Sequence, residues 1–199
     1  MARPARFDTR VLHPPQARGD EAALLQHHAA CAAAVPAWCK AAGPGLAVAS
    51  VTASTAAAAA PTRSDPAADL RAWADALCRH LDGGSRLDRL GSAAGLAWRL
   101  RTVLADAWPA WRRADDPWDA GWALSDPVAL AHWQAGWRPR RPTLLLAGGD
   151  AAAALAPVLG RLATQAGGPG LPLCWLWVGA ALPGPAGVRN QRFAWDAPA

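Results

Sequence analysis

Gly148-Gly149-Asp150 is the best-placed potential ligand site in this 199-residue sequence. It follows a short apolar run, Pro142 to Ala147, and precedes an apolar helical stretch, Ala151 to Ala166. Ligands of open α/β sheets sit beyond the carboxyl ends of strands, and helix N-termini attract phosphate. The chemistry expected of such a turn is non-covalent binding of a phosphate-bearing small molecule. The turn has only two glycines, however, and GxGxxG is absent. Lys40 is the sole lysine, so no Walker lysine is available. Asp150 would itself repel a phosphate, and it serves equally well as the cap of the helix that follows. A purely structural turn is therefore the competing reading.

Other reactive residue types are present without the spacing that makes a mechanism. His27 and Cys31 are four apart and would share a helix face, which is half of a metal site. No second His/Cys pair matches them, because Cys78 and His80 fall on nearly opposite sides of a helix. Asp115-Asp116 is a carboxylate pair, but adjacent residues point apart and Asp116 reads more simply as a cap. Gly91-Ser92-Ala93-Ala94-Gly95 places its serine one position early for a nucleophile elbow, with no strand before it. The cysteines at 31, 39, 78 and 174 lack an identifiable histidine partner. No catalytic residue can be assigned, and neither a cofactor nor a metal is expected.

The stretch from Trp108 to Trp137 is different in kind, holding half of the 12 tryptophans: 108, 111, 118, 122, 133 and 137. At 100° per residue these rings fall in an arc of about 100°. Pro109, Pro117 and Pro127 divide the stretch into at least two expected helices, with Asp116-Pro117 and Asp126-Pro127 in cap-then-proline order. Trp118/Trp122 and Trp133/Trp137 keep an i,i+4 relation and should be neighbours. One reading places the rings in the core between helix and sheet. The other is an interaction surface formed by the rings with Arg112, Arg113, Arg138, Arg140 and Arg141, since Trp and Arg are enriched where proteins grip one another. The same mixture could stack bases and contact phosphates.

The elements that must position these residues read as an α/β chain. Leu46 to Ala53, Thr143 to Ala147 and Pro172 to Val178 are short apolar runs bounded by Gly and Pro, as strands buried on both faces are. The last two, joined by the helix after Asp150, make a C-terminal βαβ unit. Helices are expected from Asp20 to about Ala34, bent or ended by Pro36, and from Asp65-Pro66 to Leu81, stopped by Gly83-Gly84. A further amphipathic stretch runs from Ser85 to about Trp108, carrying Leu87, Leu90, Leu96, Trp98, Leu100, Val103 and Leu104 and softened by Gly91 and Gly95. Val188 to Trp195 is a possible short edge strand. The fold class is a single, helix-rich α/β domain with a small, mainly parallel sheet over residues 19–199, preceded by a flexible N-terminal arm, residues 1–18.

Composition narrows the function classes. The chain has no isoleucine or tyrosine, and Glu21 is its only glutamate. High G+C codon usage of the bacterial type explains the scarce Ile, Tyr, Lys, Asn and Phe but not the scarce Glu. A shifted reading frame would explain both, but the orderly succession of elements argues against it. Scattered cysteines and the lack of a secretory signal point to a reduced, cytoplasmic setting. No apolar run is long enough to cross a bilayer, so no membrane association is expected. A net charge of +5 permits nucleic acid, but aspartates interrupt the arginines and no zinc finger, helix-turn-helix or RNP motif is present. The expected function is a non-catalytic protein-binding or assembly subunit. A phosphate-ligand binder or enzyme at Gly148 to Asp150 is the first alternative, and nucleic-acid binding the second.

Overall fold

In the computed structural model, the structure describes residues 9–16, 21–53, 65–108, 116–139, 141–165, 171–182, 184–188 and 190–195. The six strands among the described residues are β1 (Leu12–His13), β2 (Gly45–Ala53), β3 (Asp119–Ala123), β4 (Thr143–Gly148), β5 (Pro172–Val178) and β6 (Asn190–Trp195). They form one sheet in the order β1-β3-β4-β5-β2-β6, parallel throughout except that β1 runs antiparallel to β3. The described helices are α1 (Glu21–His27), α2 (Ala29–Ala41), α3 (Pro66–Leu81), α4 (Gly84–Arg89), α5 (Ser92–Ala107), α6 (Pro127–Gln134) and α7 (Ala152–Gln165). The chain is mixed α/β with a mostly parallel sheet, as the sequence predicts; the possible edge strand at Val188 to Trp195 is present as β6, and β1 and β3 are strands that the sequence reading lacked.

The three strands legible in the sequence are the three at the centre. Alternation sends Leu144 and Leu146 of β4, with Cys174 and Leu176 of β5, into one core, and Leu145, Ala147, Trp175 and Trp177 into the other. Register ties the rows together: Leu145 pairs with Trp175, which pairs with Val48 of β2. The first core is closed by α2 and α3 through Val35, Cys39, Trp73 and Leu77. The second is closed by α6 and α7, the latter through Leu155, Val158, Leu159 and Leu162 at i, i+3, i+4 and i+7 spacing. Helices on both faces explain why the central strands carry almost no polar residues.

Two of the three Asp-Pro pairs behave as helix starts. Asp65 accepts from Ala67 N at 3.0 Å ahead of α3, and Asp126 accepts from Val128 N and Ala129 N, both at 3.0 Å, ahead of α6. Asp116-Pro117 instead leads into β3, where a helix was expected. Trp118 N donates to Leu81 O and Asp119 N to Pro142 O, each at 3.0 Å, fixing the segment at the sheet. The i,i+4 spacing of Trp118 and Trp122 suits a strand as well as a helix, because a period of two also returns to the same face at every fourth residue. Pro36 lies inside α2 rather than ending it, and the expected helix from Ser85 is divided into α4 and α5, with Leu90 extended between them.

Part of the stretch expected to be an arm is built into the sheet. Val11 and Leu12 are buried, Leu12 pairs with Ala123, and Val11 O accepts from Leu124 N at 2.9 Å. β6 is an edge strand with Phe193 and Trp195 turned into the core and Asn190, Gln191 and Arg192 exposed. No helix among the described residues is long and apolar enough to cross a membrane.

Candidate interaction surface

Gly148, Gly149 and Asp150 lie at the carboxyl end of β4, where the chain makes one 3-10 turn over Gly149–Ala151 before α7. Asp150 is exposed. A Cβ at Gly149 would stand 3.0 Å from Ala180 Cβ, so this glycine permits the turn to pack on the chain leaving β5. Cys31 of the His27/Cys31 pair is buried and its Sγ donates to Ala194 O at 2.8 Å, while the side chain of His27 is not among those described. No group of three or more metal-ligating side chains occurs among the described residues.

The tryptophans of the 108–137 stretch separate. Trp118 and Trp122, from the β3 segment, are buried in the core under α3, and Trp133 in the core under α6. Trp137 is half-buried, edge-on to Trp133 with ring centroids 4.7 Å apart. Trp108, the C-cap of α5, stands 55% exposed. Arg138 is exposed, whereas Arg141 is buried, with Nη1 3.9 Å from Asp119 Oδ1. Trp111, Arg112, Arg113 and Arg140 lie outside the described residues. Arg71 of α3 meets one of these tryptophans, its guanidinium carbon sitting 4.5 Å from the centroid of the Trp122 ring.

What the structure brings to the surface is one side of α5. Leu96, Leu100 and Val103 are 69%, 59% and 44% exposed. With Trp108 they make four of the five large apolar side chains that stand exposed among the described residues. At 100° per residue the three helical positions fall within an arc of about 60°. The opposite side holds Gly95, Trp98, Thr102 and Ala105, which are buried or half-buried. The helix thus keeps Trp98 with the small Gly95, Thr102 and Ala105 inward and turns the apolar row Leu96, Leu100 and Val103 to solvent.

Specific contacts hold α5 in that rotation. The Trp98 ring lies on Gly83, where a Cβ would approach to 2.6 Å of the ring, and Gly83 itself has φ +77°. Arg101 Nη1 meets Asp116 Oδ1 at 2.5 Å. Hydrophobic periodicity alone could not find the outward row, since it reports a stripe and not which way the stripe faces. The available signal was the second stripe of small residues, Gly95, Thr102 and Ala105, at helical spacing on the other side. No protein-family model, curated protein or solved structure matches the chain.

Proposed function

We propose that this chain is a non-catalytic protein-binding or assembly subunit whose contact surface is the outward side of α5. The observation that carries the reading is the exposure of Leu96, Leu100 and Val103 along one line of a helix whose opposite side is tied to the domain. Exposed apolar patches of this kind mark protein contacts, because the row gains free energy only when a partner removes it from water. The partner is a protein presenting an apolar groove with an acidic rim: the chain carries +5, so an acidic surface is attracted and a second copy of the chain is repelled. Nucleic acid fits less well, since it offers no apolar groove for Leu96 and Leu100.

The test is affinity capture from the native host with the intact chain and with a Leu96→Gln/Leu100→Gln variant. Both positions are exposed, so the variant should keep its stability within about 0.5 kcal/mol. A protein recovered by the parent chain and lost with the variant is the expected result. Equal recovery by both would remove α5 from the interface, and recovery of DNA or RNA with a steep salt dependence would replace the partner class.

A further inference from the structure

A cavity of about 220 Å³ opens where five segments converge: the end of α2, the end of α3, Gly83, α4 with the facing Trp98 of α5, and the 116–118 approach to β3. It is lined by the apolar side chains of Pro36, Leu81, Trp98, Pro117 and Trp118 and by the exposed Lys40, His80, Arg86 and Arg89, which form its rim. Three of these rim groups are cations at neutral pH, against one lining carboxylate, Asp116, which is engaged by Arg101 at 2.5 Å. Arg86 is itself engaged, and Arg89 Nε donates to Ser85 O at 3.0 Å. Acids nearby are engaged as well. Arg79 takes both Glu21 and Asp88, and Asp82 Oδ1 accepts from Gly84 N at 2.6 Å. The indole Nε1 of Trp98 is buried and has no acceptor among the described residues, a condition it shares with Trp73, Trp175, Trp177 and Trp195.

An apolar floor beneath a cationic rim selects for a molecule that is apolar at one end and anionic at the other. We infer that this cavity binds a small organic anion, a carboxylate or phosphate ester on a flat apolar body. The anionic head meets Lys40, Arg86 and Arg89, where charge-assisted hydrogen bonds are strongest, and the body lies against Trp98 and Trp118. The volume is below that of most drug-sized sites, which limits the body to about one ring. The site is independent of the contact surface proposed above, because Trp98 belongs to the inner side of α5 and Leu96 and Leu100 to the outer.

The test is an NMR titration of the full-length, ¹⁵N-labelled chain with phenyl phosphate, benzoate, inorganic phosphate and benzyl alcohol. The reporter is the indole resonance that disappears in Trp98→Phe. Saturable movement of that resonance by phenyl phosphate or benzoate is expected, and the tighter of the two identifies the head group. Inorganic phosphate and benzyl alcohol should each bind at least about tenfold more weakly, since each lacks one half of the recognition. The same loss is expected in Arg86→Gln/Arg89→Gln, or in Lys40→Gln should the double variant melt early. No saturable shift up to about 10 mM of either aromatic anion would overturn the proposal. So would undiminished affinity in the folded rim variants, or equal affinity for inorganic phosphate.

Discussion

The indole Nε1 of Trp122 on β3 donates a 2.8 Å hydrogen bond to Oδ1 of Asp75 on α3. Both groups are buried, Asp75 to 3% exposure, so the bond links the sheet to its covering helix where water cannot substitute for either partner. Trp122→Phe should therefore cost about 1–3 kcal/mol by leaving a buried carboxylate oxygen without its donor. Asp75→Ala orphans the indole instead. In a double-mutant cycle followed by urea unfolding, a coupling of about 1 kcal/mol or more is expected, and simple additivity within about 0.3 kcal/mol would show that the bond contributes nothing.

Gly83 and Trp98 form the joint that sets the rotation of α5. Gly83→Ala meets two obstacles: a positive φ of +77°, and a Trp98 ring atom 2.6 Å from the new Cβ. A loss of about 1–3 kcal/mol is expected. The steric share should vanish in a Trp98→Ala background while the backbone share persists, so Gly83→Ala should cost less there. An unchanged cost would mean that the ring does not rest on Gly83.

What was legible in the sequence follows from how strongly burial constrains each element. β2, β4 and β5 are covered on both faces, so nearly every residue is apolar, and Pro and Gly mark their ends. α3 and α6 announce themselves through Asp65-Pro66 and Asp126-Pro127, whose capping bonds are local and need no tertiary context. β3 was hidden because Trp118 and Trp122, four apart, satisfy helical and strand spacing alike. β1 is two residues long, too short to carry a period, and depends on its partner Trp122 and Ala123 for definition. For the site, the sequence drew attention to tryptophan as a residue type, yet Trp118, Trp122 and Trp133 are consumed by the two cores. The outward row on α5 is made of ordinary aliphatic residues, Leu96, Leu100 and Val103, and its direction is decided by contacts with Gly83 and Asp116, outside the helix.

Two buried thiols give the fold an alkaline limit. The neighbouring Cys174 thiol and burial hold Cys39 far above the ordinary thiol value of 9.0, and burial does the same for Cys78, assisted by Asp82 and Asp75. Both stay protonated in the fold while the unfolded chain releases those protons from about pH 9 upward. The stability they contribute is complete below that pH and declines above it, by about 1.4 kcal/mol per pH unit for each thiol. Urea unfolding at about pH 8 and pH 10 should show this decline, and Cys39→Ala/Cys78→Ala should flatten it. An equally steep decline in the double variant would assign the alkaline loss to other groups.

The outward row of α5 is most directly tested by hydrogen exchange on the full-length chain, alone and in complex with the protein it captures. Slowed exchange concentrated in residues 96–103, with the Gly148–Asp150 turn unchanged, is the predicted result. Protection that leaves 96–103 untouched, and gathers at the turn or elsewhere, would contradict it.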